Sequence, residues 1–340
     1  MERNSLTFAD MEIMERTENV KHVLNDIDKI INWTKINNIL AETDYRKKSF
    51  YGRDCYSPEK MFRVMLIQKI YNFSDRDMES HLCFNLIYLS FCKFSLSDQI
   101  PDYSSICRWR NRFVEFNIFE KAFDEINNQL SELGLELNNA LIVDASITKS
   151  KARPRKKETI DIEPTGDMNV NEQPQITLTS EESKDPDARW IKKGKRSTYG
   201  YKIHASVNKE GLFNALITTP ANIYDGNMLT DIVNKVKPKD RTELYADKGY
   251  DSKSNRDFLA EMNIVESIMR KKNINQISEE IRVSRNKSIS KIRYVVERSF
   301  GGLKSKINLG RSKYLGLRKT HNFNILGALV YNLIRSINLL

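Results

Sequence analysis

A chain of 340 residues with 40% apolar content can bury a sizeable core, in two domains or in one with additions. Its net charge of +10 is concentrated: residues 270–319 hold fifteen Lys and Arg against three acids, which points to a polyanionic partner, nucleic acid first. Four cysteines without a CxxC pair and four histidines without an HxxxH pair exclude the common zinc sites, so reduced cysteines in a cytosolic setting are expected.

From the N-terminus, residues 1–137 read as mostly helical, with no signal peptide ahead of them. In "SPEKMFRVMLIQKIY", Ser57 is placed to cap a helix and Pro58 to take its first position, while Phe62, Met65, Leu66 and Ile70 form an apolar face. "SDRDMESHLCF" offers a second cap at Ser74, with acids in the first turn. "DYSSICRWRNRF" offers a third start at Ser104 or Ser105. There Ile106, Trp109 and Phe113 face inward, and Arg108, Arg110 and Arg112 are expected to project elsewhere. Capped helices in succession, one of them arginine-rich, are similar to a helix-turn-helix module, in which those three arginines would contact DNA. A solvated surface helix is the equal alternative.

The texture changes near residue 138. "ALIVDASI" (140–147) reads as a buried strand, and residues 149–199, opening with "KSKARPRKK", read as a long polar, basic, mobile insertion. "GYKIHASVN" (200–208) and "FNALITTPA" (213–221) form a hairpin, a helix begins near Asp225, and "TELYADKGY" (242–250) and "IVESIMR" (264–270) are further strands. The basic helix around "YVVERSFGGLK" (294–304) follows; Gly301-Gly302 is expected to kink or end it. Residues 323–340 repeat apolar positions at 326, 329, 330, 333 and 337 but carry Asn324, Asn332, Arg335 and Asn338, an amphipathic helix and not a membrane span. The order describes an α/β domain with a mixed sheet behind an all-α region, soluble and intracellular.

Two strands contain an acid that a buried strand disfavours: Asp144 after Leu141-Ile142-Val143, and Asp247 after Leu244-Tyr245-Ala246. A carboxylate there carries a desolvation cost unless it is paired or holds a metal. Ligands of open α/β sheets gather beyond the carboxyl ends of strands, so both acids can meet there. Glu297 can join them from the basic helix, where Arg293, Glu297 and Lys304 fall within roughly 60° of one another. Three carboxylates suit Mg²⁺ or Mn²⁺, and two such ions about 3.5–4 Å apart support in-line phosphoryl displacement. The simpler reading of Glu297 is an i, i+4 ion pair with Arg293.

The order Asp144, Asp247, Glu297 resembles the catalytic triad of DDE transposases, whose catalytic domain is ribonuclease H-like. More narrowly, the chain resembles the bacterial insertion sequence five family through "LTFADMEI", "YSPEKMFRVMLIQKIYNFSDRDMESHL", "PDYSSICRWRNRF", "LIVDAS", "DPDARWIKKGK", "YGYKIHASVN", "TPANIYDG", "YADKGY", "VERSFGGLK" and "LGLRKTHNFNILGALVYNLIR", in that order. The related signature Tyr-x2-Arg-x3-Glu-x6-Lys is met at Arg293, Glu297 and Lys304, with Ser290 in the tyrosine position.

The resemblance implies that residues 1–137 bind element ends. Residues 138–340 would form the catalytic domain, with the insertion at 149–199 and the C-terminal amphipathic helix. DNA would be cut and its 3′ ends joined to a target, with Mg²⁺ (or Mn²⁺) at a two-metal site of Asp144, Asp247 and Glu297. Arg293, Lys304, Arg298 and Lys248 would line the DNA path. The implied partners are double-stranded DNA, as terminal inverted repeats and target, and further copies of the chain in a homodimer or larger assembly. No membrane is implied, and the setting is the bacterial cytoplasm at the nucleoid. A metal-dependent nuclease or resolvase on the same fold, and a DNA-binding derivative without catalysis, are the alternatives. His204 is read as structural, Asp225 as a helix N-cap, and Trp190 as either a base-stacking residue or part of the sheet edge.

Overall fold

The computed structural model describes residues 7–44, 55–154, 183–272 and 278–340. Among the described residues eight α-helices come first: α1 (Phe8–Glu18), α2 (Val23–Ile30), α3 (Trp33–Leu40), α4 (Pro58–Ile70), α5 (Asp75–Phe84), α6 (Leu86–Phe91), α7 (Tyr103–Glu115) and α8 (Ile118–Glu132). Pro58 opens α4 with Ser57 before it, and the Ser74 hydroxyl accepts from the Asp77 amide at 3.1 Å in a capping box that starts α5. The cap of α7 is Asp102, not Ser104 or Ser105: its carboxylate accepts from the Ser105 amide at 2.6 Å.

The sheet follows: β1 (Leu141–Lys149), β2 (Arg189–Lys193), β3 (Arg196–Val207), β4 (Phe213–Pro220), then α9 (Leu229–Val236), β5 (Glu243–Ala246), α10 (Lys253–Glu261) and β6 (Val265–Ile268). It runs β6–β5–β1–β3, with β5 and β6 parallel to β1 and β3 antiparallel. The far edge of β3 carries β2 along its first half and β4 along its second. Two long helices close the chain, α11 (Glu279–Ser305) and α12 (Leu317–Ser336).

Three expectations change. The segment 149–199 is not one mobile insertion: its end supplies β2 and the start of β3, while residues 155–182 lie outside the described residues. Asp185 anchors that end, accepting from Tyr201 Oη at 2.5 Å, from the Gly316 amide at 3.0 Å and from Ser150 Oγ. Second, α11 passes through Gly301-Gly302 without a break. A Cβ on Gly302 would lie 2.5 Å from the Tyr331 ring, so this glycine lets α12 pack closely, which outweighs its helix cost of about 1 kcal/mol. Third, α12 is buried on all sides through its middle and is not an amphipathic surface helix. Its Asn332 binds the β4 backbone, accepting from Phe213 N at 2.8 Å and donating to Phe213 O at 2.7 Å, and also donates to Asn127 of α8.

One core therefore runs from Leu24 and Phe62 of the helical region through Ile142, Ile203 and Val296 to Leu333. A second core, built from Leu141, Val143, Leu229, Ala246 and Leu259, fills the sheet face under α9 and α10. The sheet is thus covered on both faces, with α11 and α12 on one and α9 and α10 on the other.

Candidate active site

Side chains alternate across a strand, and that alternation aims two acids at α11. Asp144 shares its face with Ile142, and Asp247 shares its face with Tyr245, both on the α11 side of the sheet. β1 and β5 run parallel with Val143 opposite Ala246, which sets Asp144 and Asp247 side by side. β5 ends at Ala246, whereas β1 continues to Lys149 against β3. Asp144 therefore lies in mid-strand, not at a strand end, at the point where its parallel neighbour stops and a crevice opens.

Arg293 of α11 fills this crevice, with 9% of its side chain exposed. Its guanidinium stands 3.4 Å from Asp144 Oδ2, 3.9 Å from Asp247 Oδ1 and 3.9 Å from Glu297 Oε1. Asp144 and Glu297 approach the same nitrogen, Nη2, so these three elements bring their acids round one centre. No contact reaches close hydrogen-bond distance, and Arg293 Nε has no partner among the described residues. Burial, partly offset by Arg293, holds the Asp144 carboxyl above its ordinary value, and Asp247 and Glu297 push the same way as burial.

The donor set is all oxygen, which suits a hard divalent cation. A cationic group already sits at the point the three acids share, so their field favours positive charge there. With the guanidinium among them, no three His, Cys, Asp or Glu side chains of the described residues close to ligand distance. Arg293 thus lies among the acids. Lys304 stands further down α11; burial first, then Lys193 from the β2–β3 turn, lowers its ammonium, while Asp144 raises it. Arg298 and Lys248 are exposed.

The arginines of α7 part company. Arg108 is exposed and bonded to Ser105. Arg110 and Arg112 are 9% and 6% exposed. Arg110 grips the Asp75 carboxylate with both terminal nitrogens, donates to Gln68 at 3.0 Å and lies over the Tyr314 ring. The expectation that Arg110 and Arg112 project from the core is overturned: both are buried, and the partners of Arg110 on α5, α4 and the α11–α12 loop are remote in sequence, while Arg112 lies over the Phe116 ring.

Three further residues settle differently from their readings. His204 is fully buried, with Nε2 on Thr219 Oγ1 at 2.9 Å, and burial lowers it to about 4. Asp225 caps nothing: it is the first residue of a 3-10 turn, and its carboxylate lies 2.7 Å from Lys202 Nζ. Trp190 sits on the edge strand against Tyr199 and under Arg153, 43% exposed. The Lys202–Asp225 pair escaped the sequence reading, although a lysine inside the apolar strand "GYKIHASVN" was its signal.

Known proteins identify the family. A "Transposase DDE domain" family model matches residues 139–333, and a second "Transposase domain" model matches residues 12–112. The "Transposase for insertion sequence element IS1106" of Neisseria meningitidis serogroup B is 38% identical over 233 residues, covering 68% of this chain and 77% of that one. Among solved structures, a piggyBac transposase synaptic complex with hairpin DNA aligns over 95% of this chain and 76% of its own, at 11% identity and a TM-score of 0.47. No described helix is long and apolar enough to cross a membrane. The chain belongs to the DDE transposases of insertion sequences, enzymes that cleave DNA and transfer its strands.

Proposed function

We propose that Asp144, Asp247 and Glu297 are the catalytic acids, and that they hold Mg²⁺, replaceable by Mn²⁺, in a two-ion site of a ribonuclease H-like domain. The family implies a divalent metal. The observation that carries the assignment is the shared guanidinium: acids from β1, the β5 turn and α11 all lie within 3.9 Å of Arg293. Bound ions would supply charge stabilisation for the attacking and leaving oxygens of a phosphoryl displacement. The strand order, with β1 flanked by antiparallel β3 and parallel β5, supports the ribonuclease H-like reading.

The protein's own part is to bind and orient. Asp144 is fixed by strand pairing and Asp247 by the end of β5 and the 3-10 turn it caps, whereas Glu297, 56% exposed, is the freer acid on a helix face. Asp144, Asp247 and Glu297 would hold the ions, and Arg293, whose guanidinium would be repelled by a divalent cation at that range, would be free to serve phosphate. There it would join Lys304, Arg298 and Lys248 on the DNA path. Residues 1–137 position the terminal inverted repeats, with Arg108 as their exposed arginine on α7. Two or more copies bring two ends together. End-labelled inverted-repeat DNA tests this: the wild type with Mg²⁺ yields cleaved and target-joined products, and Asp144→Ala, Asp247→Ala and Glu297→Ala yield neither. Cleavage without joining would assign the chain to the nuclease reading, and a fully active Asp247→Ala would refute the site.

A further inference from the structure

The β2–β3 hairpin carries five cations in eight residues, Arg189, Lys192, Lys193, Lys195 and Arg196, and no acid. All five are exposed. Lys193 and Arg196 are direct cross-strand partners, joined by the two-residue turn Gly194-Lys195 with Gly194 at φ +60°. Like charges set opposite each other destabilise a strand pair. The side chains of Lys192, Lys193, Lys195 and Arg196 have no ion pair or hydrogen bond among the described residues. The hairpin thus holds a repulsion that its described neighbours do not offset.

The stem that carries these charges is firmly mounted. The Trp190 ring packs 5.3 Å from the Tyr199 ring, and the Arg153 guanidinium lies 4.9 Å over it. Tyr199 Oη donates to Asp185 O at 2.7 Å, and Asp185 accepts from the Gly316 amide, which ties the hairpin to the α11–α12 loop. Alternation along β3 puts Tyr199 and Ala205 on one face, with Ala205 opposite Asp144 and Tyr199 opposite Trp190. Trp190 and Lys192 therefore share the sheet face of Asp144. Six residues of β3 separate the two pairs, a spacing of about 20 Å or roughly six base steps of duplex DNA. The outer edge of β2 is unpaired among the described residues. A second copy of that edge is a poor partner, because the two sets of cations would repel. A polyanion offsets them.

We propose that the β2–β3 hairpin is a separate DNA-binding surface, which holds the phosphate backbone of a duplex roughly six base steps from the bond cut at Asp144. The phosphates belong to the element end or to the flanking and target DNA, and the chemistry is the same for both. The spacing rests on Asp144 marking the reaction centre; the binding itself does not.

The test uses the full-length protein as wild type, as the quadruple variant Lys192→Gln, Lys193→Gln, Lys195→Gln, Arg196→Gln, and with the three lysines changed to arginine. Each is titrated at several salt concentrations on end duplexes that reach about three or about twelve base pairs past the scissile position, on the element side or the flanking side. On a long duplex the glutamine variant is expected to lose about three to four units of the log–log salt slope and about tenfold or more in affinity. On the short duplexes it binds as wild type does. The side whose extension creates the difference identifies the source of the phosphates. The arginine variant binds as wild type, and the glutamine variant melts at or above the wild-type temperature, because opposed like charges have been removed. Equal slopes for wild type and the glutamine variant on both long duplexes overturn the proposal, and so does a slope that falls equally on short and long ones. Cleavage by Asp144→Ala would overturn the reaction-centre assignment and the six-step spacing with it, while the slopes still decide the binding.

Discussion

Arg110 on α7 and Arg293 on α11 are both nearly buried and both face carboxylates, yet their bonding is opposite. Arg110 takes Asp75 with two nitrogens and adds Gln68 at 3.0 Å, a saturated pair that ties α7 to α5 and α4. Arg293 has three acids at 3.4–3.9 Å and closes on none of them. One arginine is matched to its carboxylate; the other has an excess of carboxylates around it. Excess acid with loose contacts marks a place where the protein keeps charge available for something else.

The strongest break between the two sites is catalytic. Asp144→Asn or Asp247→Ala should lower cleavage of end DNA by about 10⁴-fold or more while leaving DNA binding largely intact, measured by single-turnover cleavage and filter binding. A surviving rate in either variant would place Arg293 and Arg110 in the same class.

His204, a buried group on the fold side of the division, gives the next effect. Its folded value is lowered from 6.5 to about 4 by burial, so the neutral ring is the form the fold accepts. The stability it contributes is fully present above pH 6.5 and is lost as pH falls through 4, about 3 kcal/mol in all. Urea unfolding between pH 7 and pH 4 should show this decline in the wild type and a flatter curve in His204→Gln.

Stability separates the arginines themselves. Arg110→Ala leaves Asp75 partly buried without its partner and should cost about 2–3 kcal/mol by urea unfolding, discounted for the exposure of Asp75. Arg293→Gln removes only loose contacts and should cost about 1 kcal/mol or less. Equal losses would erase the distinction. The smallest effect is in salt dependence: Lys304→Ala, Arg298→Ala and Lys248→Ala should each flatten the log–log slope of DNA binding by about one unit. Arg110→Gln, already occupied by Asp75, should leave the slope unchanged.

The sequence made the local features readable. Pro58 and Ser74 announced their helices because caps act within one turn, and the apolar runs before Asp144 and Asp247 announced strands because burial leaves a composition signal. What it concealed depended on distant partners. Nothing near Arg110 reveals that Asp75 and Tyr314 enclose it, and nothing near Gly302 reveals that Tyr331 needs the space of a missing Cβ. β2 was hidden because an edge strand with exposed Arg189, Lys192 and Lys193 has the composition of a loop. The place of Arg293 among the acids was equally hidden: helical spacing shows that it shares a stripe with Glu297, but only the parallel pairing of β1 with β5 brings Asp144 and Asp247 to that stripe.

Three acids around Arg293 that form one metal site should collect manganese there. A crystal of the protein soaked in Mn²⁺, with data collected at the manganese edge, tests it directly. Anomalous density is expected among Asp144, Asp247 and Glu297, with carboxylate oxygens about 2.1 Å away and the Arg293 side chain turned out of the crevice. Ordered Mn²⁺ elsewhere, with Arg293 still between the acids at saturating metal, would contradict it.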